Sequence, residues 1–135
     1  MNPSSSLLIC KVQGENLGFC YTIFGITKEL SGEHETAMVY HNQALEVWQR
    51  LNKKSFILLS LKHILMIGEI LNLEYKKLKD YHQLFETICN RDFRDISLDL
   101  LFKDFEKKLD VGKEVSLRSP RCRLILLDND ASEGA

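Results

Sequence analysis

The chain has 135 residues, of which 44% are hydrophobic, and a formal net charge of −1 at pH 7. This length allows one small domain, and the balanced charge gives the whole protein no electrostatic attraction to nucleic acid or to an anionic membrane. The four cysteines form no C-x-x-C pair, so we expect reduced thiols in a cytoplasmic or nuclear protein.

Residues 1–15 are predicted to be a poorly ordered N-terminal arm. Pro3 precedes three serines, and Gly14 interrupts the sequence after a short apolar run. Asn16 is a suitable N-cap residue, so we expect the first helix to begin there. The predicted helical domain therefore covers residues 16–112.

Residues 18–52 predict two helices joined by a tight turn at Ser31 and Gly32. The second helix places its bulky side chains at spacings of three and four residues, which brings them onto one face. Small residues occur where two helix backbones would have to approach closely: Gly25, Ala37 and Ala44. This pattern is typical of two antiparallel helices packed against each other.

This stretch resembles a tetratricopeptide repeat, a helix-turn-helix unit of about 34 residues. The resemblance rests on bulky and small residues at their usual positions: Phe24, Gly25, Gly32, Ala37 and Ala44. It departs from the family pattern at Tyr21, where tryptophan is commonest, and at Lys28, where tyrosine is common. No proline closes the second helix. The alternative is an ordinary helical hairpin with alanines at its crossing point.

The most apolar stretch, residues 54–73, predicts a helix buried between neighbours. Lys62, His63 and Glu69 lie within it, and charged side chains are costly at the depth of a bilayer. We therefore expect no membrane span.

A degenerate second repeat is predicted over residues 55–90. The pair Tyr40-His41 recurs as Tyr81-His82, and an interval of about 40 residues is typical of stacked helical pairs. The turn of this second hairpin is expected around Asn72.

A fifth helix is predicted over residues 91–112, with Asn90 or Asp92 as its cap and Gly112 at its end. One face of this helix is apolar, and its residues are Leu98, Leu101, Phe102, Phe105 and Leu109. We expect that face to cover the last hairpin at the end of the stack; the alternative is that it binds a groove on a partner. Residues 113–135 lose the helical pattern and are predicted to be a disordered tail.

The predicted fold class is all-α, with antiparallel helical hairpins stacked as a short tetratricopeptide-like solenoid of about five helices. The sequence contains no phosphate-binding loop and no nucleophile-elbow motif, so we predict no enzyme activity, no catalytic residue and no cofactor. The histidines are scattered along the sequence, at His34, His41, His63 and His82. We therefore predict no metal site.

The family resemblance implies a non-catalytic adaptor or scaffold that binds a peptide or helix of a partner protein in a groove. By their position in the repeat pattern, the groove residues are Phe19, Thr22, Ile26 and Glu29. Such a groove is largely apolar with an acidic edge, which favours a partner with an apolar and basic face. The alternatives are a helical-bundle regulatory subunit and a helix-turn-helix nucleic-acid binder that uses the basic residues 76–79.

Repeat units bury their apolar faces against neighbours, and about three are normally needed for stability. The sequence offers one clear repeat, one degenerate repeat and a single helix. Either the fifth helix completes the core, or the chain self-associates, or it is a fragment or short form of a larger repeat array.

Overall fold

The computed structural model describes the backbone of residues 3–118 and the side chains of residues 14–111. The described part is all-α, without strands, and this confirms the predicted fold class of helical hairpins. Its helices are α1 (Pro3–Leu30), α2 (His34–Arg50), α3 (Lys54–Ile70), α4 (Tyr75–Asp92) and α5 (Leu98–Arg118). None of the described helices is both long enough and apolar enough to cross a bilayer.

The first three helices end in the same type of backbone turn. Gly32, Asn52 and Asn72 have positive φ angles of 83°, 55° and 56°. After each of them, the next amide donates a hydrogen bond to a carbonyl five residues earlier, as from Glu33 to Lys28 at 2.9 Å. This is the Schellman motif, in which a left-handed residue ends the helix and satisfies its last carbonyl groups. The turns predicted at Gly32 and around Asn72 are confirmed, and α2 ends at such a turn without a proline.

α1 and α2 pack closely because α1 has glycines where α2 carries rings. A Cβ atom on Gly18 would lie 2.7 Å from the Trp48 ring, and one on Gly25 would lie 2.6 Å from the His41 ring. The alanines predicted for this crossing are both fully buried, namely Ala37 and Ala44. The small residues therefore mark the helix crossing, as the sequence predicted.

An aromatic cluster joins four of the helices. Phe56 of α3 stacks on Trp48 of α2 with ring centroids 4.5 Å apart. The same ring meets Phe19 of α1 edge-on at 5.2 Å and stacks on Phe105 of α5 at 5.7 Å. Because Phe56 is only 4% exposed, it is the residue around which α1, α2, α3 and α5 share one core.

α5 lies against α1 and α3, rather than capping the last hairpin as the sequence predicted. Glu106 and Asp110 lie beside residues 23–30 at the C-terminal end of α1, whereas Lys107 and Lys108 lie beside residues 15–19 near its middle. α5 therefore crosses α1 instead of running along it. α5 takes this position because Phe105 stacks on Phe56 of α3. Phe56 belongs to the core cluster to which α1 and α2 also contribute side chains.

The N-terminal helix boundary also differs from the prediction. α1 begins at Pro3 rather than near Asn16, which is consistent with the preference of proline for the first turn of a helix. Gly14 lies inside α1, since an isolated glycine costs a helix only about 1 kcal/mol.

At the C-terminal end, α4 continues to Asp92 and α5 begins at Leu98 rather than at residue 91. The Leu101 amide donates to the Ser97 carbonyl at 3.0 Å, which makes Ser97 the N-cap residue of α5. Gly112 does not end α5, because the helix continues to Arg118. Residues 119–135 of the predicted tail lie outside the described residues.

Candidate functional site

α1 and α3 run in the same direction and share one surface. Phe19 meets Phe56 near one end of the pair, and Glu29 Oε1 lies 3.0 Å from His63 Nδ1 near the other. We call the apolar residues of these two helices that face α5 the α1/α3 surface; they are Phe19, Ile23, Ile26 and Phe56.

α5 lies on the α1/α3 surface with its apolar face. Phe105 is fully buried, and Leu109 is 8% exposed. Lys62 of α3 places its Nζ 4.2 Å from the centre of the Phe102 ring, a cation–π contact. By contrast, Leu100 is 65% exposed. The predicted apolar face of α5 is therefore confirmed, and it packs against α1 and α3.

Two clefts flank α5. One has a volume of about 610 Å³ and is lined by apolar and charged residues, among them Glu15, Phe19, Phe56, Lys107 and Lys108. The other has a volume of about 260 Å³ and lies along Ile23, Ile26, Leu30 and Leu109. α5 therefore covers the middle of the α1/α3 surface and leaves apolar side chains accessible on both sides.

The four predicted groove residues have different surroundings. Phe19 and Ile26 line the clefts beside α5. Thr22 is fully buried against α2, where its hydroxyl accepts a hydrogen bond from Trp48 Nε1–H at 3.3 Å. A partner cannot reach Thr22 in this conformation. Glu29 is turned away from the apolar clefts and belongs to a cluster with two histidines.

Three helices each contribute one residue to that cluster, which we call the His–Glu cluster: Glu29 of α1, His41 of α2 and His63 of α3. Glu29 Oε1 lies 3.0 Å from His63 Nδ1 and 3.6 Å from His41 Nε2. The two imidazole rings stack with centroids 4.7 Å apart and 7° between their planes. His41 and His63 are far apart in the sequence, but the α2–α3 hairpin brings their rings together.

The buried member of the His–Glu cluster is His41. Its side chain has no exposed surface, and neither ring nitrogen has a hydrogen-bond partner among the described residues. At 3.6 Å, Glu29 Oε1 is too far from His41 Nε2 for a hydrogen bond. The Glu29 and His63 side chains are 17% and 16% exposed, so the cluster opens to solvent on their side.

Burial lowers the pKa of His41, because the interior disfavours the charged imidazolium. Burial alone would raise the pKa of Glu29, but interactions with the two imidazoles outweigh it and lower that pKa to about 2. At neutral pH the cluster thus combines an ionised carboxylate with a buried, neutral imidazole.

The spacing of its residues along the chain carries no signal for this cluster. Glu29 and His63 are 34 residues apart (63 − 29), whereas the equivalent turns that end α1 and α3, at Gly32 and Asn72, are 40 residues apart (72 − 32), so the two residues do not occupy equivalent positions. The repeated Tyr-His pairs do not share an environment, since His41 is fully buried whereas His82 is half-buried and stacks on Tyr75 at 5.6 Å. The recurring Tyr-His pair therefore has different structural roles in the two hairpins.

The cysteines differ from the expectation of reduced thiols. Cys89 carries a free thiol, but Cys20 is disulfide-bonded. Spacing along the sequence does not reveal such a bond, since a disulfide depends on two Cα atoms lying within about 7 Å of each other in the fold.

Comparison of the chain with protein-family models, with curated proteins and with solved structures found no match.

Proposed function

We propose that the chain is a non-catalytic protein-interaction module of the tetratricopeptide type, an adaptor whose α1/α3 surface binds an amphipathic helix of a partner protein. The observation that carries this proposal is the position of α5, which crosses α1 and α3 and buries Phe105 completely against Phe56. A surface that accepts the apolar face of one helix has the chemistry of helix-in-groove recognition.

α5 indicates the chemistry of the partner. Its two buried side chains, Phe105 and Leu109, are four residues apart and therefore lie on one helix face. Lys107 and Lys108 line the same cleft as Glu15. We infer a partner helix with bulky apolar residues at four-residue spacing and basic residues beside them, which agrees with the apolar and basic face expected from the sequence.

The partner helix exchanges with α5 for the same surface. A tethered α5 acts at an effective concentration on the order of millimolar, so it competes strongly with any free helix. The two clefts beside α5 leave apolar side chains such as Leu30, which is 86% exposed, where a partner makes its first contacts. α5 thus sets the affinity threshold that a partner must exceed.

Three features support the assignment to the tetratricopeptide type. The turns that end α1 and α3, at Gly32 and Asn72, are 40 residues apart (72 − 32), an interval typical of stacked helical pairs; small residues lie at the α1/α2 crossing, and each of the first two hairpin turns is a Schellman motif. A regulatory helical bundle shares the small residues at the crossing and the Schellman turns, but nothing in such a bundle requires its hairpins to recur at a fixed interval.

The test releases α5 from its surface. Phe105→Asp places a charge in the aromatic cluster, whereas the matched control Leu100→Asp makes the same change on the exposed side of α5. A fluorescent peptide of residues 97–118 is titrated with each full-length protein, and binding is followed by anisotropy. We expect Phe105→Asp to bind the peptide at least tenfold more tightly than wild type and Leu100→Asp do.

Loss of peptide binding by Phe105→Asp, with its helical circular dichroism retained, would contradict the proposal. Adding Ile26→Lys to Phe105→Asp should remove the binding, because Ile26 lines the cleft beside Leu109. The nucleic-acid alternative is tested on the same proteins with duplex DNA. Binding that weakens steeply with salt and is equal in all variants would favour the exposed basic residues of α4, namely Lys76, Lys77 and Lys79.

A further inference from the structure

We propose that the His–Glu cluster is a binding site for one divalent transition-metal ion of the zinc class, with Glu29, His41 and His63 as its protein ligands. The site is distinct from the α1/α3 surface, and it does not depend on what binds there.

The distances in the cluster suit tetrahedral coordination. Zinc binds imidazole nitrogens and carboxylate oxygens at about 2.0–2.2 Å, so two ligand atoms of a tetrahedral site lie roughly 3.4 Å apart. Glu29 Oε1 is 3.0 Å from His63 Nδ1 and 3.6 Å from His41 Nε2. All three ligand atoms lie within 4.8 Å of one another. Because an imidazole nitrogen binds a metal in the plane of its ring and the two rings are stacked nearly parallel, the partly exposed His63 ring turns out of the stack to bind the same ion as His41. Two histidines and one carboxylate leave the fourth position to water.

His41 provides the second, independent observation. Its ring is fully buried, yet Nε2 has no hydrogen-bond partner among the described residues, and such a buried polar atom normally has one. Nε2 is nevertheless within 3.6 Å of the Glu29 carboxylate. A metal ion between these atoms supplies the missing partner and neutralises the partly buried carboxylate.

The surroundings of the cluster fix the His41 ring and the helices that carry the other two ligands. The His41 ring lies directly on the backbone of α1, because any Cβ on residue 25 would come within 2.6 Å of it. Glu29 is followed by the Schellman turn at Gly32. Each ligand sits on a different helix, and sites built on packed helices keep their geometry better than sites on loops. The partial exposure of Glu29 and His63 provides the entry path.

The donor set selects the class of metal. Imidazole nitrogen suits zinc and its first-row neighbours, whereas Mg²⁺ and Ca²⁺ prefer sites made of oxygen atoms. His41 Nδ1 has no described partner, and the loss of such an outer contact costs a metal site about 10–100-fold in affinity. We therefore expect binding weaker than that of structural zinc sites with a complete outer shell.

The experiment uses the full-length protein without an affinity tag, stripped of metal with a chelator. Zn²⁺ binding is measured by calorimetry, and Co²⁺ binding by visible absorption, which reports tetrahedral coordination. We expect one ion per chain, an intense tetrahedral Co²⁺ spectrum without thiolate charge transfer, and a higher Tm with Zn²⁺ but not with Mg²⁺.

His63→Gln and Glu29→Gln should each weaken Zn²⁺ binding at least tenfold, while the matched control His82→Gln should bind as wild type does. These two positions are chosen because both are partly exposed, whereas a change at the fully buried His41 risks unfolding the chain. Equal Zn²⁺ affinity of wild type, His63→Gln and Glu29→Gln would overturn the proposal. A Co²⁺ spectrum dominated by thiolate charge transfer would overturn it as well, because the cysteines would then be the ligands.

Discussion

Replacing Phe56 with alanine should destabilise the fold more than any exposed aromatic substitution does. Removing a buried phenylalanine costs about 3–5 kcal/mol through lost burial and the cavity left behind. Phe56 also makes ring contacts with Trp48, Phe19 and Phe105, and each aromatic pair adds about 0.5–1.5 kcal/mol. We therefore expect a loss at the upper end, roughly 4–5 kcal/mol.

That loss is large compared with the total stability. A domain of about 100 residues has a free energy of unfolding of roughly 5–15 kcal/mol, so Phe56→Ala removes between about a quarter and all of it. The assay is urea unfolding followed by circular dichroism, with Tyr75→Ala as the control because Tyr75 is 66% exposed. The control should lose less than about 1 kcal/mol.

The milder change Phe56→Leu keeps most of the volume and loses the ring contacts, so it should cost about 1–2 kcal/mol. It also provides a measurable value if the alanine variant does not fold. A loss below about 1 kcal/mol for Phe56→Ala, similar to that of Tyr75→Ala, would show that the four helices do not share one core around this ring.

Two further predictions concern a turn and a thiol. Gly32→Ala should lower the free energy of unfolding, measured in urea, by about 1–2 kcal/mol, because alanine is strained at a φ of +83°. The strain is the only expected effect, since a Cβ at this position would meet no atom within 4 Å. An unchanged free energy of unfolding would mean that the turn relaxes to another conformation. Burial raises the pKa of the Cys89 thiol, so less of it is thiolate near pH 8 and its alkylation by iodoacetamide should be slower in the native protein than in urea. Equal rates, measured by mass spectrometry of the Cys89 peptide, would contradict this reasoning.

The hairpins could be predicted from sequence because their signals are local. A turn at Gly32 depends on a few adjacent residues, and the close crossing of α1 and α2 is visible in the spacing of Gly25, Ala37 and Ala44. The position of α5, by contrast, depends on contacts between residues that are far apart in the sequence. An apolar face predicts that a helix is buried on one side, but it does not say which neighbour covers that side.

The His–Glu cluster escaped prediction for a related reason. Its residues come from three helices, so its geometry depends on both hairpin turns and on the alignment of α1 with α3. Glu29 and His63 are not at equivalent positions of the two hairpins, so their spacing does not predict the contact between them. The His41 ring, in turn, reaches the cluster only because Gly25 leaves room for it. Thr22 illustrates the same limit. Its position in the repeat pattern predicted that it lines a groove, but in the structure its hydroxyl accepts a hydrogen bond from Trp48.

The crossing of α5 over α1 changes how this chain folds. An open array of helical pairs has only neighbour contacts and can fray from either end. Here Ile26 and Leu109 line the same cleft, although they are 83 residues apart (109 − 26), so the last helix supports the first. Closing so long a loop raises the contact order, which slows folding compared with local hairpins. Release of α5 without a replacement helix should therefore also destabilise α1, the helix at the opposite end of the described residues.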